Sequence, residues 1–336
     1  MPAPVMPASG TSCPLPAPRG PLSERLLAVL RGEAPPVGLS SAPVVGSDPF
    51  GEDLQLCLYL AYELHYRAID GVDDALEWDP DVLRFRSALE RSFLHALREV
   101  AGAQDEDVEG VLAPLLVEPV GGTGPSWHLS GAGELWQLRE YAAHRSIYHL
   151  KEADPQAWVV PRLEGQAKAS LVTVQHDEYG AGRADRMHAA MFARLLRDLD
   201  LDHRYGAYLD LVPAVTLAPV NLMSMAGLHR ALRGVAFAHF VMIEVTSSPG
   251  SRRISQAFER LGAGPGGQAF YDEHVEADAV HEQLLRAGLR DLVDREPGLA
   301  ADVVLGLRAS SALEQRFGDH LLDCWDAGRS SLRAGL

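Results

Sequence analysis

Cysteine is scarce in this chain. Cys13, Cys57 and Cys324 lie far apart, and no Cys-x-x-Cys occurs. That excludes a thiolate zinc site and a disulfide framework, and it fits a reducing, cytoplasmic setting. Positive charge is also short: 30 Lys and Arg against 46 Asp and Glu leave a net charge of −16. Nucleic acid and anionic membrane surfaces are therefore poor partners. No run approaches the roughly 18 apolar residues of a transmembrane helix. Met1–Pro21 is Pro-rich and lacks a basic segment followed by an apolar one, so it does not read as a secretory signal. Alternating apolar and polar runs are rare as well. Val212–Val220 comes nearest, and its Pro and Ala content reads as a loop. Gly264-x-Gly266-Gly267 follows no strand and is no dinucleotide loop, and no Ser sits in a nucleophile elbow.

What is present is helical periodicity. Residues 1–45 carry ten prolines and read as a largely disordered tail with one short helix near Leu22–Arg31. Order is expected from Asp48-Pro49. Helices are expected over Glu52–Ile69, from Asp79-Pro80 to Val100, and over Glu134–Glu152, Pro161–Tyr179, Asp185–Asp198 and Asn221–Thr246. The last of these should stop at Ser247-Ser248-Pro249-Gly250. Ile254–Leu261, Phe270–Val293 and Ala300–Trp325 follow, with Gly262–Gly267 as a loop. The fold class is all-α, a bundle of about seven core helices with additional N-terminal helices. Residues 46–130 form an N-terminal helical region, a candidate dimerisation element, and 131–336 the main domain.

The stretch His274–His281 reads His-Val-Glu-Ala-Asp-Ala-Val-His. At about 100° per residue, His274, Asp278 and His281 share one helix face. Two imidazoles and a carboxylate there make half of a metal site; the alternative is a solvated face. Glu244 is the only formally charged side chain in Gly234–Ser247, on a helix apolar nearly all round. A buried carboxylate needs a metal, a proton or an Arg or Lys partner. His239, in the same window, reads as a hydrogen-bonded core histidine. His188 sits among apolar neighbours, and by itself reads as structural. Glu178 and Glu152, each at a helix end, look like surface residues. Glu63 and His65 face apart and read as structural. His149, three residues before Glu152, is either its outer partner or exposed.

Taken together, Glu152, Glu178, His188, Glu244, His274, Asp278 and His281 read Glu-x25-Glu-x9-His-x55-Glu-x29-His-x3-Asp-x2-His. This pattern resembles the haem-oxygenase-like non-haem di-iron oxidases and oxygenases, the iron-containing redox enzymes. The resemblance covers about residues 130–325. It extends to Lys-Glu-Ala-Asp-Pro at 151–155, Gln-x-Asp-Glu-Tyr-Gly-x-Gly at 175–182 and Tyr62-Glu63-Leu64-His65-Tyr66. The spacing also resembles that of the N-oxygenating domain of N-nitrosourea-forming enzymes, whose extra Glu corresponds to Glu178.

The resemblance implies a haem-oxygenase-like bundle, two Fe(II)/Fe(III) ions and O2 as co-substrate. It also implies an external electron donor, an amine or amino-acid-like substrate to be N-oxygenated, and a homodimer. Oxidative decarboxylation or C–C cleavage of an amino or fatty acid is the alternative chemistry; iron storage without turnover is the alternative class. Three imidazoles and four carboxylates suit two hard-to-borderline ions, and four negative charges balance two Fe²⁺. Glu178, beside Gly180 and Gly182, could swing, so residues 176–186 are expected to reorganise when iron binds. Phe237, Phe240 and Ser247 share roughly the face of Glu244 and are expected to line the substrate pocket. Arg183 and Arg186 are candidates to receive a substrate carboxylate, with solvent exposure as the alternative.

Overall fold

The computed structural model describes residues 12–41, 44, 46–118 and 121–336; the side chains of residues 40, 41, 278 and 279 lie outside the description. Helix α1 spans Pro21–Leu30, α2 Glu52–Glu63, α3 Pro80–Ala101, α4 Val108–Leu112 and α5 Pro125–Gly131. Then come α6 Leu135–His149, α7 Asp154–Ala157, α8 Gly165–Glu178, α9 His188–Asp198 and α10 Ala214–Leu228. The chain closes with α11 Arg233–Leu261, α12 Pro265–Arg295 and α13 Ala300–Asp326. Among the described residues there is no strand, only an isolated bridge between Cys13 and Ile69. None of the described helices is long and apolar enough to cross a membrane.

α11 and α12 form the centre. The chain reverses between them at Gly262, whose φ of 60° ends α11 in the left-handed region while its N–H returns to Phe258 and Glu259 carbonyls. α8 and α9 pack on α12, and α13 and α5 pack on α11. Two glycines permit the close approaches. A Cβ on Gly306 of α13 would stand 2.7 Å from the Val235 carbonyl oxygen, and one on Gly288 of α12 would stand 2.8 Å from the Phe237 ring. α2 packs on α10 and α3 on α13, so the N-terminal helices are built into one core that runs from Cys13 to Leu332.

Three expectations change. The short helix expected near Leu22–Arg31 is present as α1, but the segment around it is docked on the core rather than a free tail. α1 buries Leu22, Leu26, Leu27 and Leu30, and Asp53 accepts hydrogen bonds from the Leu22 and Ser23 amides at 2.8 and 2.7 Å. Pro21 starts that helix, where its missing N–H costs nothing. Residues 1–11 lie outside the described residues. Val212–Val220 is not a loop: from Ala214 it is the first half of α10, with Pro219 inside. Lastly, α11 does not stop at Ser247–Gly250. It runs through Pro249 to Leu261, because α5, α12 and α13 hold it on several sides and packing overrides local propensity.

Candidate metal centre

Six of the seven sequence-selected side chains converge in the bundle interior, and none is more than 8 % exposed. They come from five places. Glu152 follows the end of α6, Glu178 ends α8 and His188 begins α9. Glu244 sits mid-α11, and His274 and His281 lie two turns apart on α12. Asp278 lies between those histidines on α12, but its side chain is outside the described residues.

Local backbone explains the convergence. After α6 the chain turns at Leu150–Ala153, with Ala153 at φ 69°. Lys151 is directed into the core, where its ammonium pairs with Glu63 and lies over the Tyr59 and Tyr66 rings at 4.5 and 4.2 Å. Gln175 of α8 donates to the Ala153 carbonyl at 2.9 Å. Glu152 is thereby fixed between two anchored neighbours. Gly180 does the same for His188: at φ 71°, a Cβ there would stand 2.6 Å from the Arg186–Met187 backbone. Only a glycine lets the chain fold back so tightly, and this brings His188 Nδ1 to 2.9 Å from Glu178 Oε2.

The ligand atoms fall into two triads, each within 4.8 Å: Glu152, His188 and His274, then Glu178, Glu244 and His281. The His188–Glu178 contact joins them. In the first triad, His274 Nε2 is 3.7 Å from Glu152 Oε1. The Nδ1–H of His274 donates to the Phe270 carbonyl at 2.7 Å, so in neutral His274 the Nε2 that faces the triad carries the lone pair. His149 donates to Glu152 Oε1 at 2.7 Å, while the buried Glu152 Oε2 has no hydrogen bond among the described residues. In the second triad, His281 Nδ1 is 3.0 Å from Glu244 and 3.9 Å from Glu178. Its Nε2 meets Asp177 at 3.3 Å.

The electrostatics follow from this packing. Burial pushes the Glu152 carboxyl up, but the imidazoles of His149 and His274 outweigh it and hold it well below the usual range. Burial pulls His281 down, yet the hydrogen bond and charge of Glu244, with Glu178, push it up to about 9. Burial also raises Glu244. Both shifts point the same way: this is a place where positive charge is favoured. His188 is raised too, because Glu178 outweighs its burial. No Lys or Arg pairs with Glu152, Glu178 or Glu244 among the described residues, which removes the Arg or Lys alternative for Glu244. The orphaned Glu152 oxygen, and carboxylates that meet imidazoles rather than Lys or Arg among the described residues, fit hard-to-borderline cations such as iron.

Two supporting residues carry weak sequence signals. His149 is not exposed: it packs against Phe192 and Phe270, with centroids at 4.8 and 5.2 Å, and orients Glu152. Its three-residue spacing from Glu152 was visible. Asp177 gave no signal beyond standing next to Glu178. His239 is the expected core histidine, 2.6 Å from Ser310 Oγ.

A cavity of about 290 Å³ opens on the cluster, with Glu152, Glu178, Glu244 and His274 in its wall. Ser247 lines it, as expected. Phe237 and Phe240 do not: both are buried core residues, and Phe237 packs against Gly288. The wall comes instead from Ile243, Ser247, Gly250, Ser251 and Ile254, because α11 continues past Pro249. Arg183 and Arg186 are exposed and pair with Asp185 and Glu273, away from the cavity. Its charged residues outside the cluster are Arg145, Glu314 and Arg253.

An all-α bundle that buries three imidazoles among three carboxylates defines a histidine–carboxylate metal protein. Residues 139–315 match the family described as iron-containing redox enzymes. The match covers just over half of the chain and contains every residue of the cluster; the chain belongs to that family, with its haem-oxygenase-like helical fold. Among curated proteins, none matches the chain.

Proposed function

We propose that this oxidoreductase carries two iron ions and uses O2 to N-oxygenate an amine of an amino-acid-like substrate. Glu152, His188 and His274 would hold one ion and Glu178, Glu244 and His281 the other, with Asp278 as the seventh ligand. The observation that carries this reading is the pair of adjoining triads, joined through Glu178. Bound iron supplies the capacity to activate and reduce O2. The chain's own residues do the rest. Phe270 and Asp177 fix the imidazoles of His274 and His281, and His149 orients Glu152. In balance, an amine, O2, two electrons from an external donor and two protons give a hydroxylamine and water.

The cavity bears on the alternative substrates. A fatty acid calls for a long apolar tunnel, whereas this cavity of about 290 Å³ presents Arg145, Glu314, Arg253 and Tyr148 in its wall. That favours an amino-acid-like substrate. The test is an amine and amino-acid panel with the Fe(II)-loaded protein, O2 and a reductant, read by mass spectrometry. Gain of oxygen on nitrogen supports the proposal. Loss of CO2 selects the decarboxylase, and oxidation of iron indifferent to every small molecule selects storage.

A further inference from the structure

The cavity's three charged residues are not equivalent. All three nitrogens of Arg145 are engaged: Nη1 and Nη2 donate to the two Glu314 oxygens at 3.2 and 2.8 Å, and Nε donates to the Tyr141 hydroxyl at 3.3 Å. Glu314 is matched by the same bidentate contact. Arg253 is different. Its Nε donates to Ser126 Oγ at 3.0 Å, its Nη1 pairs with Glu118, and its guanidinium lies over the Trp127 ring at 4.2 Å. Nη2 makes no hydrogen bond among the described residues, and the head is held flat and pre-oriented.

Its location gives that free edge a meaning. A second cleft, of about 550 Å³, adjoins the cavity, and both are lined by Arg253, Glu314, Glu244 and Met242. The rest of that wall is mostly apolar and neutral, with Glu118 paired to Arg253, Glu282 paired to Arg286, and Asp319. Arg253 is the one Lys or Arg among the described residues of that wall, so an anionic group in the cleft finds its counter-charge there. Arg253 and Glu244 stand nine residues apart on α11, about 13 Å of helix rise. A carboxylate on Arg253 is therefore several bonds away from any atom that reaches the cluster.

We propose that Arg253 is the specificity-determining residue for an ω-amino carboxylic acid, taking its carboxylate so that the distal amine is presented toward Glu244 and Glu152. The assignment of chemistry to that amine rests on the iron reading above; the recognition of the carboxylate does not.

The test is anaerobic titration calorimetry on the full chain, comparing aminohexanoate with hexylamine, and iron content measured on the same samples. Wild type binds the amino acid at least about tenfold more tightly than the amine. R253Q loses that ratio without weakening hexylamine, R253K keeps part of it, and E118Q, which removes the competing carboxylate, widens it. A purely structural Arg253 cannot give opposite effects at 253 and 118. Wild type with no preference for the carboxylate, no binding of either probe, or a ratio that survives in R253Q each overturns the proposal. Protein that shows the ratio but holds no iron pair refutes the iron reading alone. Two irons without the ratio refute the Arg253 assignment alone.

Discussion

Lys151 and Glu63 form a fully buried ion pair that ties the turn carrying Glu152 to helix α2. Glu63 also accepts from the Tyr205 hydroxyl at 2.7 Å, so both of its oxygens are engaged. Removing one partner of such a pair strands a charge, which costs about 3–5 kcal/mol. Glu63→Ala should lose that much in chemical denaturation and release iron through the displaced Glu152. Glu63→Met with Lys151→Met should recover most of the stability. Equal losses in the single and double variants would show that the pair is not what holds this turn.

Asp177 is half-exposed, and its one assigned task is to hold His281 Nε2 at 3.3 Å. Outer carboxylates of this kind contribute about 10- to 100-fold to metal affinity. Asp177→Asn should weaken iron binding in that range, with folding stability changed by less than about 0.5 kcal/mol. Competition with a chelator reads the first quantity and urea unfolding the second. Unchanged iron affinity would mean that Asp177 does not orient His281.

Gly180 is required by two independent constraints, its φ of 71° and the Arg186–Met187 backbone against it. Gly180→Ala should displace His188 from Glu178 and lower iron occupancy, while the distant α1–α2 contact stays intact. Metal analysis, with hydrogen exchange of α8–α9 against α1–α2, would detect this. The same exchange experiment tests whether residues 176–186 rearrange on loading: protection there should rise when iron binds. Full occupancy in Gly180→Ala would refute the geometric requirement.

His239, five residues before Glu244 on α11 but hydrogen-bonded to Ser310, gives a pH dependence of its own. Burial lowers it from 6.5 to about 4. Between those values the unfolded chain binds the proton and the folded chain does not, so stability falls as pH drops through that window. The contribution is on the order of 3 kcal/mol, absent above pH 6.5 and complete near pH 4. His239→Gln should flatten the stability profile by about that amount in denaturation curves taken from pH 7 to pH 4. Buried His144, also pulled well down, keeps part of the slope in the variant. A profile identical to wild type would contradict the assignment.

The cluster was legible in the sequence because its parts obey local rules. His274 and His281 share a helix face, and Glu244 is an isolated charge in an apolar helix. Glu152, Glu178 and His188 were legible only through the resemblance in spacing, since each looks ordinary in its own window. What stayed hidden depends on distant partners. α1 itself was legible as a short helix, but its docking through Asp53, far along the chain, was not, so the segment around it read as tail. Helix α11 crosses Pro249 because three helices clamp it, so the cavity wall fell past the expected end and Phe237 and Phe240 were misplaced. Arg145 and Arg253 carry no local mark that separates them from the exposed Arg183 and Arg186. Their contacts with Glu314 and Trp127 make the difference.

The central claim is that the two triads hold a pair of irons. Anaerobic titration of the metal-free chain with Fe(II), followed by Mössbauer spectroscopy of the oxidised product, tests it most directly. The account predicts an end point of two irons per chain as an exchange-coupled pair, with His274→Ala and Glu244→Ala each falling to one iron or fewer. An end point of one iron in wild type, or two coupled irons retained in both variants, would contradict it.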